Sequence, residues 1–282
     1  MQFAIDLPPF GPFSDPRLVA QLAEVAEEAG WHGFFLWDHP NYRLDGSPEP
    51  VAIADPWIML AAIALRTRYI KLGPMVTPLL RRRPWKLARE TVTLDHLSGG
   101  RLVLGVGLGS DYDGEYHVFG EPTDPRVHGE KLDEGLAILT RLWSGEQVSY
   151  QGQHYQLAPV QFRPTTVQRP RIPIWVAGIW PHTKPFRRAA KYDGVYPQQR
   201  GRALKPEDLR EILAFIQTQR TQTTPFEALA YGRTSGKDKA SDAAHVAAFA
   251  QVGATWWLEH FALKLSVEQV RERIQQGPPR LS

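Results

Sequence analysis

Several short stretches of this chain combine chemically useful side chains with positions where an apolar run ends. Asp38-His39 closes the run at residues 33–37. A histidine there can hydrogen-bond a ligand or move a proton near neutral pH. Its alternative is a purely structural histidine held by Asp38. Pro74-Met75-Val76-Thr77 ends the run at 69–74, and residues 107–112 follow the run at 101–107. Within the latter, GVGLG lacks the third glycine of a dinucleotide fingerprint but suits a turn where backbone approaches a ligand closely. GIWPHT at 178–183 follows the run PIWVAG and precedes a helix, so its N–H groups read as a phosphate cradle, with an ordinary turn as the alternative. Pro197-Gln198-Gln199 and Glu259-His260 complete the set. It is short of carboxylates, has no HxH pattern and predicts no metal. Its glycines and aromatics suit a large, planar, phosphate-bearing cofactor better than a metal-assisted hydrolase.

Those residues need a scaffold that gathers strand ends. From 55 to 110 the chain reads helix, strand, loop, helix, glycine turn, strand, glycine-rich loop, a βαβ unit that requires parallel strands. Along the whole chain the pattern predicts strands at 2–7, 33–37, 69–74, 101–107, 173–178, 194–197, 227–231 and 254–259. Helices are expected at 16–29, from 55 to the third strand, and at 84–97, 127–143, 186–191, 206–219, 241–252 and 266–276. Asp15 and Asp55 are the expected caps, with Pro16 and Pro56 beside them. A loop rich in turn residues runs from His39 to Ala54. Residues 149–171 are polar, proline-rich and aromatic, and are expected to contain a β-hairpin excursion. Eight alternating pairs predict an α/β fold: one (β/α)8 TIM barrel over 1–282 with an insertion after the fourth helix, rather than an open doubly wound sheet. In a barrel those strand ends share one rim. Trp256 and Trp257, adjacent in a strand, must point to opposite faces.

The bulk numbers narrow the class. The chain has 282 residues, 33 basic and 30 acidic side chains, and no cysteine. That excludes disulfides, thiolate nucleophiles and zinc–sulfur sites. A net charge of +3 is too mild to imply nucleic acid, and Arg81-Arg82-Arg83 reads as a solvated helix entry with one arginine able to reach a phosphate or a neighbouring acid. No apolar stretch approaches the roughly 20 residues of a membrane span. MQFAIDLPPFGPF lacks a basic segment followed by a long apolar one, so the cytoplasm is expected.

The stretch RPWKLARETVTLDHLSGGRLVLGVGLG, with GFFLWDHP, EYHVFG, RLWSGE and PIWVAG followed by RRAAKYDGV, resembles the bacterial-luciferase-like monooxygenases. These are barrel enzymes that use FMN or the deazaflavin coenzyme F420. The resemblance covers residues 1–194 and continues more faintly to the end. It implies an isoalloxazine ring beside Met75, Val76 and Thr77, with Met75-Val76 the candidate for the non-prolyl cis peptide found in several relatives. It implies cofactor contacts from Gly107 and Ala177, and a phosphate near Gly109 and Ser110 and near Gly178, Ile179 and Trp180. His39, with Asp38, matches the place of a catalytic histidine in deazaflavin-dependent dehydrogenases. Some of those relatives carry a glutamate where this chain has Ser110, with Glu115 close by. The leading expectation is a monooxygenase acting on an apolar or aromatic substrate with oxygen and reduced FMN from a separate reductase. The alternatives are deazaflavin-dependent hydride transfer and a non-catalytic flavin-binding barrel. The resemblance also implies a homodimer, and no nucleic-acid or membrane partner is expected.

Overall fold

Proline and short polar side chains decide where the helices start. Asp15, Asp55 and Asp124 each cap a backbone N–H just ahead of a proline that opens the helix. Ser266 and Gln269 form a reciprocal capping box at the last helix. The computed structural model describes residues 1–44, 47 and 49–281. The part of the expected loop at Asp45, Gly46 and Pro48 lies outside the described residues, as does Ser282. In chain order the strands are β1 (Gln2–Leu7), β2 (Gly33–Leu36), β3 (Lys71–Pro74), β4 (Thr77–Pro78), β5 (Leu104–Gly107), β6 (Gln147–Gln151), β7 (Gln156–Gln161), β8 (Ile174–Ile179), β9 (Gly194–Gln198), β10 (Glu227–Gly232) and β11 (Trp256–His260). The helices are α1 (Pro16–Glu28), α2 (Pro56–Arg66), α3 (Pro84–Leu97), α4 (Pro125–Ser144), α5 (Thr183–Ala189), α6 (Pro206–Gln219), α7 (Lys239–Gln251) and α8 (Val267–Gln275).

All strands except the β6–β7 hairpin pair in parallel, in the order β3-β2-β1-β11-β10-β9-β8-β5-β4. β3 and β4 are one barrel strand interrupted at Met75-Val76, whose peptide is cis, as the resemblance implied. The ring closes where Leu72 bridges Leu102 just ahead of β5. The expected barrel is therefore present. The inserted hairpin begins at Gln147, two residues before the expected start.

Two strands fall short of the apolar pattern by two residues or more, each for a visible reason. Residues 68–70 are a turn, because the Glu27 carboxylate accepts the N–H groups of Arg68, Tyr69 and Ile70. Residues 101–103 carry only the closing bridge, because Arg101 is turned inward as a staple. Its guanidinium donates to the carbonyls of Ala64, Thr67, Ile70 and Ser98 and to the Thr67 hydroxyl, at 2.7–3.0 Å. Gly99 and Gly100, both at positive φ, turn the chain from α3 back to that point. The SGGR motif thus ties the end of α2, the end of α3 and the entries of β3 and β5 into one knot.

Alternation along the strands divides the core. Ala4, Phe35, Met75, Val103, Trp175, Leu229, Trp256 and Leu258 fill the barrel interior. The opposite faces pack under the helices. Trp256 lies inside against Trp175 and Phe35, while Trp257 lies outside against His245 and Phe249. Among the described residues no helix is long and apolar enough to cross a membrane.

Arg101→Met removes the guanidinium while leaving several buried acceptors unpaired. It is expected to lower unfolding free energy by about 3 kcal/mol. Arg101→Lys is expected to recover less than half, because an ammonium cannot reproduce the planar fork. Chemical denaturation of the three proteins checks both expectations.

Candidate active site at the barrel mouth

The strand ends carry the next inward-facing layer above the apolar interior. Continuing the same alternation, β1 contributes Asp6, the end of β2 Trp37, β5 Gly107, β8 Ala177, β9 Tyr196, β10 Tyr231 and β11 His260, with Val76 at the β3–β4 break. Val76, Ala177 and Tyr231 are only partly buried and pack on the interior cluster. A Cβ placed on Gly107 would lie 2.9 Å from the Val76 side chain and 3.5 Å from Ala177. Glycine there lets Val76 pack closely against β5, and the partly exposed Val76 and Ala177 side chains form a shallow apolar cradle against which a flat ring can lie. Met75 is buried beneath this cradle, close to Gly105.

An ion cluster fixes the neighbouring wall. Nδ1 of His39 is 2.6 Å from Oε1 of Glu115. Arg81 donates to Oε2 of the same carboxylate and, at 2.6 Å, to the Asp38 carbonyl. Arg82 and the Thr77 hydroxyl both donate to Oδ2 of Asp38, at 3.0 and 2.7 Å. Trp57 in turn donates to Thr77. Asn41 reaches the Asp113 carbonyl at 2.6 Å, joining the loops that follow β2 and β5. Asp38 and Glu115 are almost fully buried, and each has an arginine partner, as buried carboxylates require. With Glu115 accepting the Nδ1 proton, Nε2 of His39 is left for a ligand. Phe10, Trp37 and Tyr42 surround the imidazole, with ring centroids 5.4–5.8 Å away.

This geometry revises several readings of the sequence. The partner of His39 is Glu115, not Asp38. The Asp38 carboxylate is spent on Arg82 and Thr77, which makes it an anchor of the wall and removes it from the set of free acids. Thr77 is wholly buried and turned outward to Trp57 and Asp38, away from the cradle. Arg81 and Arg82 are not a solvated helix entry, because both side chains are largely buried in the ion cluster.

Where the resemblance implied a phosphate, Gly109 and Ser110 stand exposed on the rim, with Gly109 at φ +71°. Tyr116 supports that turn by donating to the Leu108 carbonyl at 2.6 Å. Burial pushes its phenol well above the usual range, so it remains a donor. Gly178 is different: a Cβ there would lie 2.4 Å from Pro185, so this glycine permits close packing of β8 on α5. The Trp180 ring also turns to the helices, against Phe186 and Phe215. The N–H groups of Trp180 and His182 already donate to the Gln198 and Ile179 carbonyls. The 178–183 turn therefore offers fewer free donors than its sequence suggests, and Ile179, two residues on from Ala177 along β8, is its mouth-facing member.

Sequence reasoning assigned no role to Asp6, Tyr196 and Tyr231, marked His260 only as part of a strand end, and did not single out Arg81 from its two neighbours. Glu115 was visible only as an acid near a departed motif. The available signal for Asp6 was a lone acid two residues beyond Ala4 in an otherwise apolar strand.

The family model described as luciferase-like monooxygenase matches residues 5–276. An F420-dependent glucose-6-phosphate dehydrogenase from Nakamurella multipartita is 32% identical over 59% of this chain and 48% of its own length. The oxygenase component of a flavin-dependent trigonelline monooxygenase from Acinetobacter baylyi is 29% identical over 59% of this chain and 44% of its own. The chain thus spans about half the length of these curated relatives. The coenzyme F420 dependent tetrahydromethanopterin reductase from Methanopyrus kandleri shares the fold, with a TM-score of 0.77, 17% identity and 98% of both chains covered.

Two variants check the site. Glu115→Gln is expected to cost about 3 kcal/mol of stability by leaving Arg81 underpaired, read by thermal or chemical unfolding. Gly178→Val is expected to destabilise the fold by about 2 kcal/mol through the β8–α5 clash while leaving cofactor affinity per folded molecule unchanged. Selective loss of affinity in a stable Gly178→Val protein would return Gly178 to the ligand site.

Proposed function

The chain belongs to the luciferase-like monooxygenase family, and on that premise we propose that it is an oxidoreductase that binds a flavin or deazaflavin in the barrel mouth and oxidises or reduces a small organic substrate, with His39 as the proton partner. The observation that carries this reading is the His39–Glu115–Arg81 arrangement beside the Val76–Gly107 cradle. The residues present fit such a cofactor. The partly exposed Val76 and Ala177 side chains offer a flat ring a small apolar surface, and the exposed Gly109-Ser110 turn offers backbone and hydroxyl donors to a phosphate tail. When bound, the cofactor supplies the two-electron redox centre.

The protein's own residues supply position and proton control. Glu115 holds the His39 ring by Nδ1, and Arg81 keeps that carboxylate in place. Nε2 can then accept the hydroxyl proton released as an alcohol becomes a carbonyl, or return it in the reverse direction. Phe10, Trp37 and Tyr42 limit water around the imidazole. Because dehydrogenation releases one proton for each hydride, this proton acceptor favours deazaflavin-dependent hydride transfer as the main reading. The apolar wall formed by Phe10 and Trp37 favours a second reading, the monooxygenase with reduced FMN from a separate reductase that the sequence first suggested. A homodimer is part of the proposal. Ile58 and Leu65, seven residues apart on α2, are 69% and 74% exposed and give a second copy an apolar face.

Titration with FMN and with coenzyme F420, oxidised and reduced, followed by their fluorescence, tests the assignment. Preferential binding of the deazaflavin is expected. Preference for reduced FMN with oxygen consumption would select the second reading, and binding of neither would overturn both. His39→Ala is expected to keep cofactor affinity while lowering turnover about a hundredfold or more. Turnover at the wild-type level in that variant would remove His39 from the chemistry.

A further inference from the structure

The mouth contains a second carboxylate-held histidine, on the side away from Glu115. Asp6 and His260 are register partners on β1 and β11. Nε2 of His260 lies 2.9 Å from Oδ2 of Asp6 and 3.1 Å from the Tyr196 hydroxyl. Trp37 donates to the same Asp6 oxygen at 3.0 Å. Tyr231 stacks on the imidazole, with centroids 4.7 Å apart and planes 20° apart. Asp6 is completely buried, and its Oδ1 has no hydrogen-bond partner among the described residues. No structural load explains this arrangement. The interior beneath is apolar, and a buried carboxylate without a cationic lysine or arginine partner weakens a fold that has no use for it.

The two halves of the mouth differ in kind. Val76, Gly107 and Ala177 are small and apolar, whereas Asp6, His260, Tyr196 and Tyr231 are polar and aromatic. We propose that the Asp6–His260–Tyr196 group is the substrate-recognition half of the mouth, with His260 accepting a hydrogen bond through Nδ1 from a hydroxyl group of a small oxygenated organic substrate and Asp6 acting as its positioning residue. This rests on the redox reading above and adds a substrate class to it. The Asp6 carboxylate selects the tautomer with the proton on Nε2, which leaves the Nδ1 lone pair as the acceptor. Nδ1 has no partner among the described residues, and the imidazole is 18% exposed. Burial raises the Tyr196 and Tyr231 phenols, so both remain neutral beside it. Two histidines, each held by a carboxylate and separated by Trp37, then have separate tasks: His39 moves the proton, and His260 recognises the oxygen function.

A matched pair of probes tests this without knowledge of the natural substrate. Benzyl alcohol and toluene share a ring and differ in the hydroxymethyl group. Titration of the protein with each, followed by the histidine ring signals in NMR, should show benzyl alcohol bound about tenfold more tightly, the worth of one good hydrogen bond. The His260 ring should carry its proton on Nε2 and respond selectively to the alcohol. His260→Phe should abolish the preference and keep toluene binding. Asp6→Asn should reduce the preference and disturb the tautomer, whereas a merely structural Asp6 would change stability alone. Equal affinity for the two probes, binding of neither, or an unchanged preference in His260→Phe would overturn the inference. So would loss of FMN and F420 binding in His260→Phe, because that places the residue in the cofactor's half. Failure of the wild-type protein to bind either cofactor would instead strike the redox reading, and the alcohol preference would still decide this one.

Discussion

Glu115 is the hinge of this molecule's chemistry. It comes from the loop after β5, yet it meets Arg81 from the loop after β4 and His39 from the loop after β2. A single buried carboxylate therefore fixes the relative positions of three strand ends. Without its two partners the burial would be strongly unfavourable. With them, the wall of the mouth is set before any ligand arrives, and the orientation of His39 follows from it. Asp38 repeats the device one layer outward, through Arg82, Thr77 and Trp57. Preorganisation of this kind is what proton transfer requires, because a misplaced imidazole loses most of its advantage.

The remainder of the fold serves that wall. Arg101 knots the ends of α2 and α3 to the entries of β3 and β5 at the opposite, N-terminal end of the barrel. The apolar interior, with Trp175 and Trp256 at its centre, supports the layer above it. The interruption between β3 and β4 brings Val76 to the rim opposite Gly107, and glycine at 107 lets the two pack closely. The result is a mouth with a flat apolar half and a polar aromatic half, joined by Trp37, which touches both histidine rings.

Much of the fold was legible in the sequence, for physical reasons. Period-two and apolar strand runs, prolines at helix starts and the SGGR turn are local signals, and they predicted the barrel and the hairpin. Tyr69 misled because a β-favouring residue sat in a turn organised by Glu27, far away in sequence. The site was less legible. His39, Val76 and Gly107 announced themselves by type and by position at a strand end. The partner of His39 did not, because adjacent Asp38 looked like the natural choice and Glu115 is 76 residues away. Arg81 and Arg82 looked like surface charge because nothing local reveals the carboxylates that receive them. Asp6 and His260 meet only because β1 and β11 close the ring, so their pairing is a consequence of topology.

The central claim is that the ring of the cofactor occupies the small-residue half of the mouth and leaves both histidines open to substrate. A crystal structure of the protein soaked with the oxidised coenzyme tests it most directly. The account predicts a ring lying against Val76, Gly107 and Ala177, with its phosphate tail towards Gly109 and Ser110 and with His39 and His260 uncovered. A ring stacked over Tyr231 and His260, or bound outside the mouth, would contradict it.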